Sequence, residues 1–259
     1  MTTLREAYDS SATAWGDGPD RVFGTLAEAL LARGPRWAGL RVVDVGAGTG
    51  TATRRLAAAG AQVVAVDVAS EMLAVAGARC ACTSVVGDAC ALPLQNDAAG
   101  AAVLGFVLNH LSRPEAALRE AARVVRPGGW VLASTWSRED AHPVRELVQQ
   151  ALLDRGWQVP EWYQTLKKAT TPLSDTAVAL GRLARSAGLA EVDTSEVTIP
   201  VPAPAGDLLG WRLGMPHTAP FVDALAPAEQ RRLWQELQDA AAPLPPLVCR
   251  LNVLVSRVS

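Results

Sequence analysis

The stretch "RVVDVGAGTGTATRRLAAAGAQVVAVDVASEML", residues 41–73, joins two apolar runs through a glycine turn and one helical segment. A valine-rich strand, a tight turn, a helix with apolar residues at 3.6-residue spacing and a second valine-rich strand make one βαβ unit of a parallel sheet. Its glycines are Gly46, Gly48 and Gly50, in the order G-x-G-x-G. A dinucleotide fingerprint is G-x-G-x-x-G, and here its third glycine would fall on Thr51. The phosphate loop of nucleotide hydrolases is also absent, because neither its Lys nor the following Ser/Thr stands in place. What remains is Asp44 within the first strand, a tight turn, and Asp67 at the tip of the second. That arrangement suits an adenosine that carries no phosphates.

Outward from this unit the alternation continues. The runs "RVVDVG", "AQVVAVD", "TSVVGD", "AAVLGF" and "GWVLAST" read as strands one to five. Between them "TGTATRRLAAAG", "SEMLAVAGARC" and "PEAALREAARVV" read as helices, with Gly60 and the pair Gly128–Gly129 as stops. The regular rhythm ends after Thr135. Residues 137–172 read as an insertion holding the helical "HPVRELVQQALLDRG", followed by a helix "DTAVALGRLARSAG". "LAEVDTSEVTIPV" and "PLVCRLNVLVSRV" read as strands six and seven, separated by a second, proline-rich insertion, 203–244, that ends in an amphipathic helix. The expected fold is α/β, a doubly wound, mostly parallel seven-stranded sheet with helical insertions, in a single domain spanning 1–259.

Composition narrows the function. The chain has 259 residues, 49% hydrophobic and 19% charged, with a net charge of -2. No basic run marks a nucleic-acid or lipid footprint, so a small-molecule partner is expected, with no nucleic acid and no membrane. The amino terminus lacks the basic-then-apolar pattern of a secretory leader. The longest apolar stretch, "AAGAAVLGFVL", is too short to span a bilayer, so the expected location is the cytoplasm. Cys80, Cys82, Cys90 and Cys249 lack the histidines or paired spacing of a zinc site and read as small buried hydrophobes, with no metal expected.

"VVDVGAGTG", "VVAVDVASEML", "VVGDACALP", "FVLNHL" and "VVRPGGWVLAST" occur in that order and spacing. Together they resemble the class I S-adenosylmethionine-dependent methyltransferases, in the branch similar to ubiquinone and menaquinone biosynthesis enzymes (methyltransferase type 11). The resemblance covers roughly residues 5–135 and implies a Rossmann-like methyltransferase fold with the last strand antiparallel. It implies S-adenosyl-L-methionine as cofactor. Gly46, Ala47 and Gly48 would then face the methionine part, Asp67 both ribose hydroxyls, and Val68 and Met72 the two faces of the adenine. Asp88 and Ala89 would meet the adenine edge, Phe106 would lie beside the sulfonium, and Tyr8 would fold over the cofactor. Most of these have plainer readings too: Asp88 as a cap of its own turn, Val68 and Met72 as core, and Tyr8 with Trp15 as pins for the first helix.

Methyl transfer from a sulfonium is an in-line displacement in which placement does most of the work. A base is needed where the acceptor is a hydroxyl or a protonated amine. His110, in "LNHLSRP", is the candidate catalytic base, with a helix-start residue as its plain alternative. His142 and His217 lie in the insertions and read as surface residues, His217 also as a possible chamber wall. Strands five and six are expected to send their insertions to the cofactor edge, so residues 1–24, 137–172 and 203–244 form a partly mobile lid. Trp136, Trp162, Trp211, Met215 and His217 are its candidate acceptor-binding walls. Trp211, with glycines on both sides in "GDLLGWRLGMPHTAPF", reads as a hinged wall outside any packing helix. The expected activity is methyl transfer to a small, mostly apolar biosynthetic acceptor. The alternative is a non-methylating reaction, such as cyclisation or rearrangement, on the same fold. The acceptor and the oligomeric state are not encoded in any motif.

Overall fold

The computed structural model describes residues 3–259; Met1 and Thr2, at the head of the 1–24 segment, lie outside the described residues. Seven strands form one sheet: β1 (Arg41–Val45), β2 (Gln62–Asp67), β3 (Thr83–Val86), β4 (Ala99–Gly105), β5 (Val125–Trp136), β6 (Glu191–Val201) and β7 (Leu247–Arg257). Their order is β3-β2-β1-β4-β5-β7-β6. β1 to β5 run parallel, whereas β7 is antiparallel to both β5 and β6. Helices α1 (Leu4–Ser10), α2 (Ala12–Asp17) and α3 (Pro19–Leu31) precede the sheet. α4 (Thr51–Ala58), α5 (Ser70–Arg79) and α6 (Pro114–Val124) alternate with its parallel strands. α7 (Pro143–Leu153), α8 (Glu161–Ser174) and α9 (Ala177–Ser186) follow β5, and α10 (Ala205–Leu213), α11 (Ala219–Ala224) and α12 (Pro227–Ala241) separate β6 from β7.

Successive strand residues point to opposite faces, and each face has its own core. Val42, Val63, Val103 and Leu132 pack with Leu26 and Leu30 of α3, Leu56 of α4 and residues of α7, α10 and α12. Val43, Val64, Ala102 and Val131 pack instead with Leu118 and Ala121 of α6 and with Leu180 and Ala184 of α9. The chain enters the sheet at β1, moves out to β3 and returns to place β4 on the other side of β1. At that reversal the connections from β1 and β4 diverge, which opens a crevice at the carboxyl ends of the strands.

Three local expectations are corrected. Gly128 and Gly129 do not stop a helix: α6 ends at Val124, Val125 is already extended, and both glycines lie in β5. There the β4–β5 register shifts between Ala99 and Ala101, and Gly128 takes a φ of +77°. The second correction is α8, a helix in the first insertion that runs through Pro172 to Ser174. Its end is fixed by the Ser174 carbonyl, which accepts from Thr135 Oγ1 at 2.6 Å and from the buried Asn252 Nδ2 at 3.2 Å.

The third concerns Trp211, which sits inside helix α10 and is 1% exposed. The glycines around it serve packing. A Cβ on Gly18 would lie 2.2 Å from the Gly210 carbonyl oxygen, and one on Gly214 would lie 2.8 Å from both the Ala14 carbonyl oxygen and Pro19 Cδ. Gly18 and Gly214 let α10 cross the α2–α3 corner at backbone contact. Helix propensity opposes this segment, and the close crossing outweighs it.

The two sides of this crossing are not equivalent. A Cβ on Gly210 would meet only Gly18 Cα, at 3.4 Å, an ordinary contact. Gly18→Ala should therefore destabilise the protein by about 1–3 kcal/mol through overpacking. Gly210→Ala should be neutral or stabilising by up to ~1 kcal/mol, because Ala favours the helix interior. Urea denaturation midpoints of the two variants check the asymmetry.

Candidate active site

The turn after β1 is built by backbone geometry. Gly46, Gly48 and Gly50 have φ values of +71°, +54° and +83°, a left-handed region that favours glycine. A Cβ on Gly46 would come within 2.6 Å of Val107, so only glycine lets the turn pass beneath the segment that follows β4. On Gly48 the Cβ would point into open space. Asp67 closes the turn from the tip of β2: one carboxylate oxygen accepts from Gly48 N at 2.8 Å and the other from Ala69 N at 2.9 Å. Burial raises its pKa, and these two bonds act against the rise. Asp44, buried in β1, accepts from Thr53 Oγ1 at 2.6 Å, and burial raises it to about 6.

Thr51, at the position a dinucleotide site gives to glycine, bonds through Oγ1 to Asp20 of α3. Asp20 also pairs with Arg54 at 2.6 Å and Arg79 at 3.1 Å. Asp20 thus ties side chains at the start of α4 and the end of α5 to α3. The glycine turn itself is open at Gly48.

Beyond Asp67, Val68 is 40% exposed, unusual for a valine beside a buried strand, and faces the cavity. Met72 lies behind it, buried with Ala12 and Ala69 against Tyr8 and Trp15. Asp88 accepts from Cys90 N at 2.8 Å, so its carboxylate caps its own turn while also lining the cavity. Ala89 is buried beside it. At the end of β4 Phe106 holds a φ of +59°, which for an aromatic residue is strained and points to a local role. Its amide is fixed by the Ser134 carbonyl at 3.0 Å.

From Phe106 the wall continues as aromatic contacts. Its ring lies 5.0 Å from Phe23 and 4.9 Å from Trp136, and Trp136 stacks at 6.0 Å on Trp211. On the other side Trp15 joins Tyr8, at 5.5 Å, to Phe23, at 5.2 Å. Tyr8 reaches His110 Nε2 through its hydroxyl at 3.2 Å, while His110 Nδ1 is buried without a partner. Burial and the Lys167 charge lower the His110 pKa to about 3. Farther along, Tyr163 and His217 stack at 3.9 Å with 9° between their rings.

All sixteen residues expected at the site (Tyr8, Gly46, Ala47, Gly48, Asp67, Val68, Met72, Asp88, Ala89, Phe106, His110, Trp136, Trp162, Trp211, Met215 and His217) line one cavity of about 670 Å³. The structure adds Trp15, Phe23, Tyr163 and the cations Arg138, Arg145, Lys167 and Arg212 to its wall. The one sequence signal for these cations was Arg212, a lone charge in the apolar run "LLGWRLGM". His142 and His217, read as surface residues, are both buried. His142 caps α7 by accepting from Val144 N at 3.2 Å, and its Nε2 meets the Pro245 carbonyl at 3.0 Å.

His217 is held neutral. Burial, then Arg212, Lys167 and His110, lower its pKa to about 3. A depressed folded pKa means that the unfolded chain binds the proton first, so this stability is present above about pH 6.5 and is lost as pH falls toward 3. Asp44 works in the opposite sense below about pH 6, because its folded pKa is raised. His217 is therefore isolated by comparing wild type with His217→Phe, which keeps the stack on Tyr163. Between about pH 7 and pH 5 the wild type should lose ~2 kcal/mol more than the variant, measured by urea denaturation at each pH.

Comparison with known proteins gives the family. The profile described as "Methyltransferase domain" matches residues 43–133. A relative named demethylmenaquinone methyltransferase, from Mycobacterium bovis (strain BCG / Pasteur 1173P2), is 35% identical over 186 residues, covering 69% of this chain and 78% of its own. Among solved structures, Haemonchus contortus phosphoethanolamine N-methyltransferase 2 in complex with S-adenosyl-L-methionine has a TM-score of 0.62 at 20% identity. That match covers 99% of this chain and 60% of that one. The [4+2]-cyclase SpnF has a TM-score of 0.58 at 21% identity, over 90% and 80% of the two chains, and shares the fold. The cavity fits the cofactor of the matched family by its open Gly48 and its fixed Asp67 carboxylate. The chain belongs to the class I S-adenosyl-L-methionine-dependent methyltransferases, in the branch that includes the ubiquinone and menaquinone biosynthesis enzymes.

Proposed function

We propose that this enzyme methylates a small planar acceptor held in the aromatic half of the cavity. The carrying observation is that a single cavity joins the glycine turn and Asp67 to the Trp136–Trp211 wall, with Tyr8 and Phe106 between them. Bound at the glycine turn, the cofactor supplies an electrophilic methyl group on a sulfonium. Gly46, Ala47 and Gly48 offer backbone to its methionine part, and Asp67 offers its remaining lone pairs to the ribose hydroxyls. Val68 and Met72 flank the adenine, Asp88 and Ala89 meet its edge, and Tyr8 covers it. Phe106 excludes water where the methyl group is passed on. Trp136, Trp162, Trp211, Met215 and His217 wall the acceptor. The named activity of the mycobacterial relative, on demethylmenaquinone, supports a flat acceptor, and the net charge of -2 favours a small molecule over a polyanion.

In this reading residues 1–24, 137–172 and 203–244 form the cover of a single domain. The wall residues on α8 and α10, and Tyr8 on α1, support that assignment. For His110 the role of base carries a condition, because Nε2 is engaged by Tyr8 and Nδ1 is closed off. With a pKa of about 3 its imidazole is a weak proton acceptor at neutral pH. We assign His110 the position of holding Tyr8 over the junction. Activation of the acceptor then falls to other groups.

The test is transfer of labelled methyl from S-adenosyl-L-methionine to planar acceptors, with the product extracted and identified. Turnover without label in the product would contradict it. Asp67→Asn keeps the shape of the side chain and removes one carboxylate acceptor. It should weaken S-adenosylhomocysteine binding by about 1.5–3 kcal/mol, roughly 10- to 150-fold, and lower stability by about 1–3 kcal/mol, because its amide nitrogen cannot accept from one of the two backbone amides. Calorimetry that found equal affinity in a folded variant would remove Asp67 from the cofactor site.

A further inference from the structure

The acceptor half of the cavity holds more positive charge than the protein neutralises. Arg138 pairs with Asp175 at 3.1 Å and Arg145 pairs with Asp140. Lys167 of α8 and Arg212 of α10 line the same cavity and have neither an ion pair nor a side-chain hydrogen bond among the described residues. Arg212 Nε, Arg145 Nε and Trp211 Nε1 are buried donors without acceptors. A cation shut away from bulk water is strongly disfavoured unless an opposite charge reaches it.

What compensation exists is partial. Arg145 lies 5.0 Å over Trp136 and 5.3 Å over Trp211, and Arg212 lies 5.2 Å over Trp211. The last turn of α10 adds a fraction of a negative charge near Arg212. Repulsion persists all the same. Burial first, then Arg145 and Arg212, lower the Lys167 pKa, and burial with Arg145 brings Arg212 down to about 10. The opposite end of the cavity is acidic, with Asp44, Asp67 and Asp88 in its wall.

We propose that the acceptor is a planar oxyanion, bound with its negative oxygen between Lys167 and Arg212 and its flat face against the surrounding aromatic rings. The inference rests on reading this half of the cavity as the acceptor chamber. It replaces the mostly apolar acceptor expected from sequence with an aromatic or conjugated acid, as a carboxylate or as an acidic hydroxyl ionised on binding. The second form would leave no proton for His110 to remove, consistent with the closed geometry of that imidazole.

The experiment uses the full chain saturated with S-adenosylhomocysteine and follows quenching of tryptophan fluorescence. The probes are 2-naphthoate against neutral 2-naphthamide, and 4-nitrophenol against 4-nitroanisole. Wild type should bind at least one anion-forming probe about tenfold or more tightly than its neutral partner, and less tightly as salt rises. Binding of 4-nitrophenol as its yellow phenolate in mildly acidic buffer identifies an ionised hydroxyl as the favoured form; preference for naphthoate alone identifies a carboxylate. In Lys167→Met and Arg212→Met the anion preference should fall about tenfold, while the melting temperature holds or rises because an uncompensated charge is gone. S-adenosylhomocysteine affinity, from calorimetry, should stay within about twofold.

Equal affinity of wild type for charged and neutral probes overturns the proposal. So does loss of S-adenosylhomocysteine affinity in folded variants, which would assign the cations to the cofactor's own carboxylate. A wild type that prefers the anions yet transfers no methyl group to any acceptor would count against the proposed function and leave the oxyanion site standing.

Discussion

The carboxylate of Asp67, bonded to the backbone amides of Gly48 and Ala69, is the contact on which the site depends. It joins the tip of β2 to the turn after β1 and so sets the glycine backbone at the mouth of the crevice. Gly46 brings that turn against Val107, at the end of β4, where any Cβ would collide. Three strand ends are thereby locked around one opening. Asp20 of α3 then holds Thr51 and Arg54, beside the start of α4.

Around that opening the cavity is polar in the electrical sense. Carboxylates gather where a cationic cofactor belongs, and cations gather at the far end among tryptophans. Between the two lies a row of rings through Tyr8, Trp15, Phe23, Phe106 and Trp136, with Phe106 in a strained backbone state. Such a row excludes water from the point of transfer and strengthens the fields from both ends. In the proposed reading, placement and charge, more than a dedicated base, are what this chain contributes to the reaction.

The parallel part of the sheet was legible because short apolar runs alternate with helical patterns in repeated βα units, whereas the antiparallel last strand came from the family resemblance. In the cofactor half the glycine turn and Asp67 were legible from the residues themselves, whereas Tyr8, Val68, Met72, Asp88, Ala89 and Phe106 came from the family resemblance; all of them line the cavity. α8 and α10 were not, since threonine, proline and glycine argue against helix and only tertiary packing overrides them. Lys167 and Arg212 lie on those two helices and were hidden with them, and Arg145 was hidden by the logic that identified α7. A charge on an amphipathic helix reads as a solvated face, and Arg145, Lys167 and Arg212 face a cavity that exists only once three insertions have folded over it.

The most direct test of this account is a crystal structure with S-adenosylhomocysteine bound. The account predicts ribose hydroxyls on the Asp67 carboxylate, adenine between Val68 and Met72, and the thioether sulfur beside Phe106, facing Trp136 and Trp211. A cofactor product whose ribose lies away from Asp67, or whose carboxylate sits on Lys167 and Arg212, would contradict it.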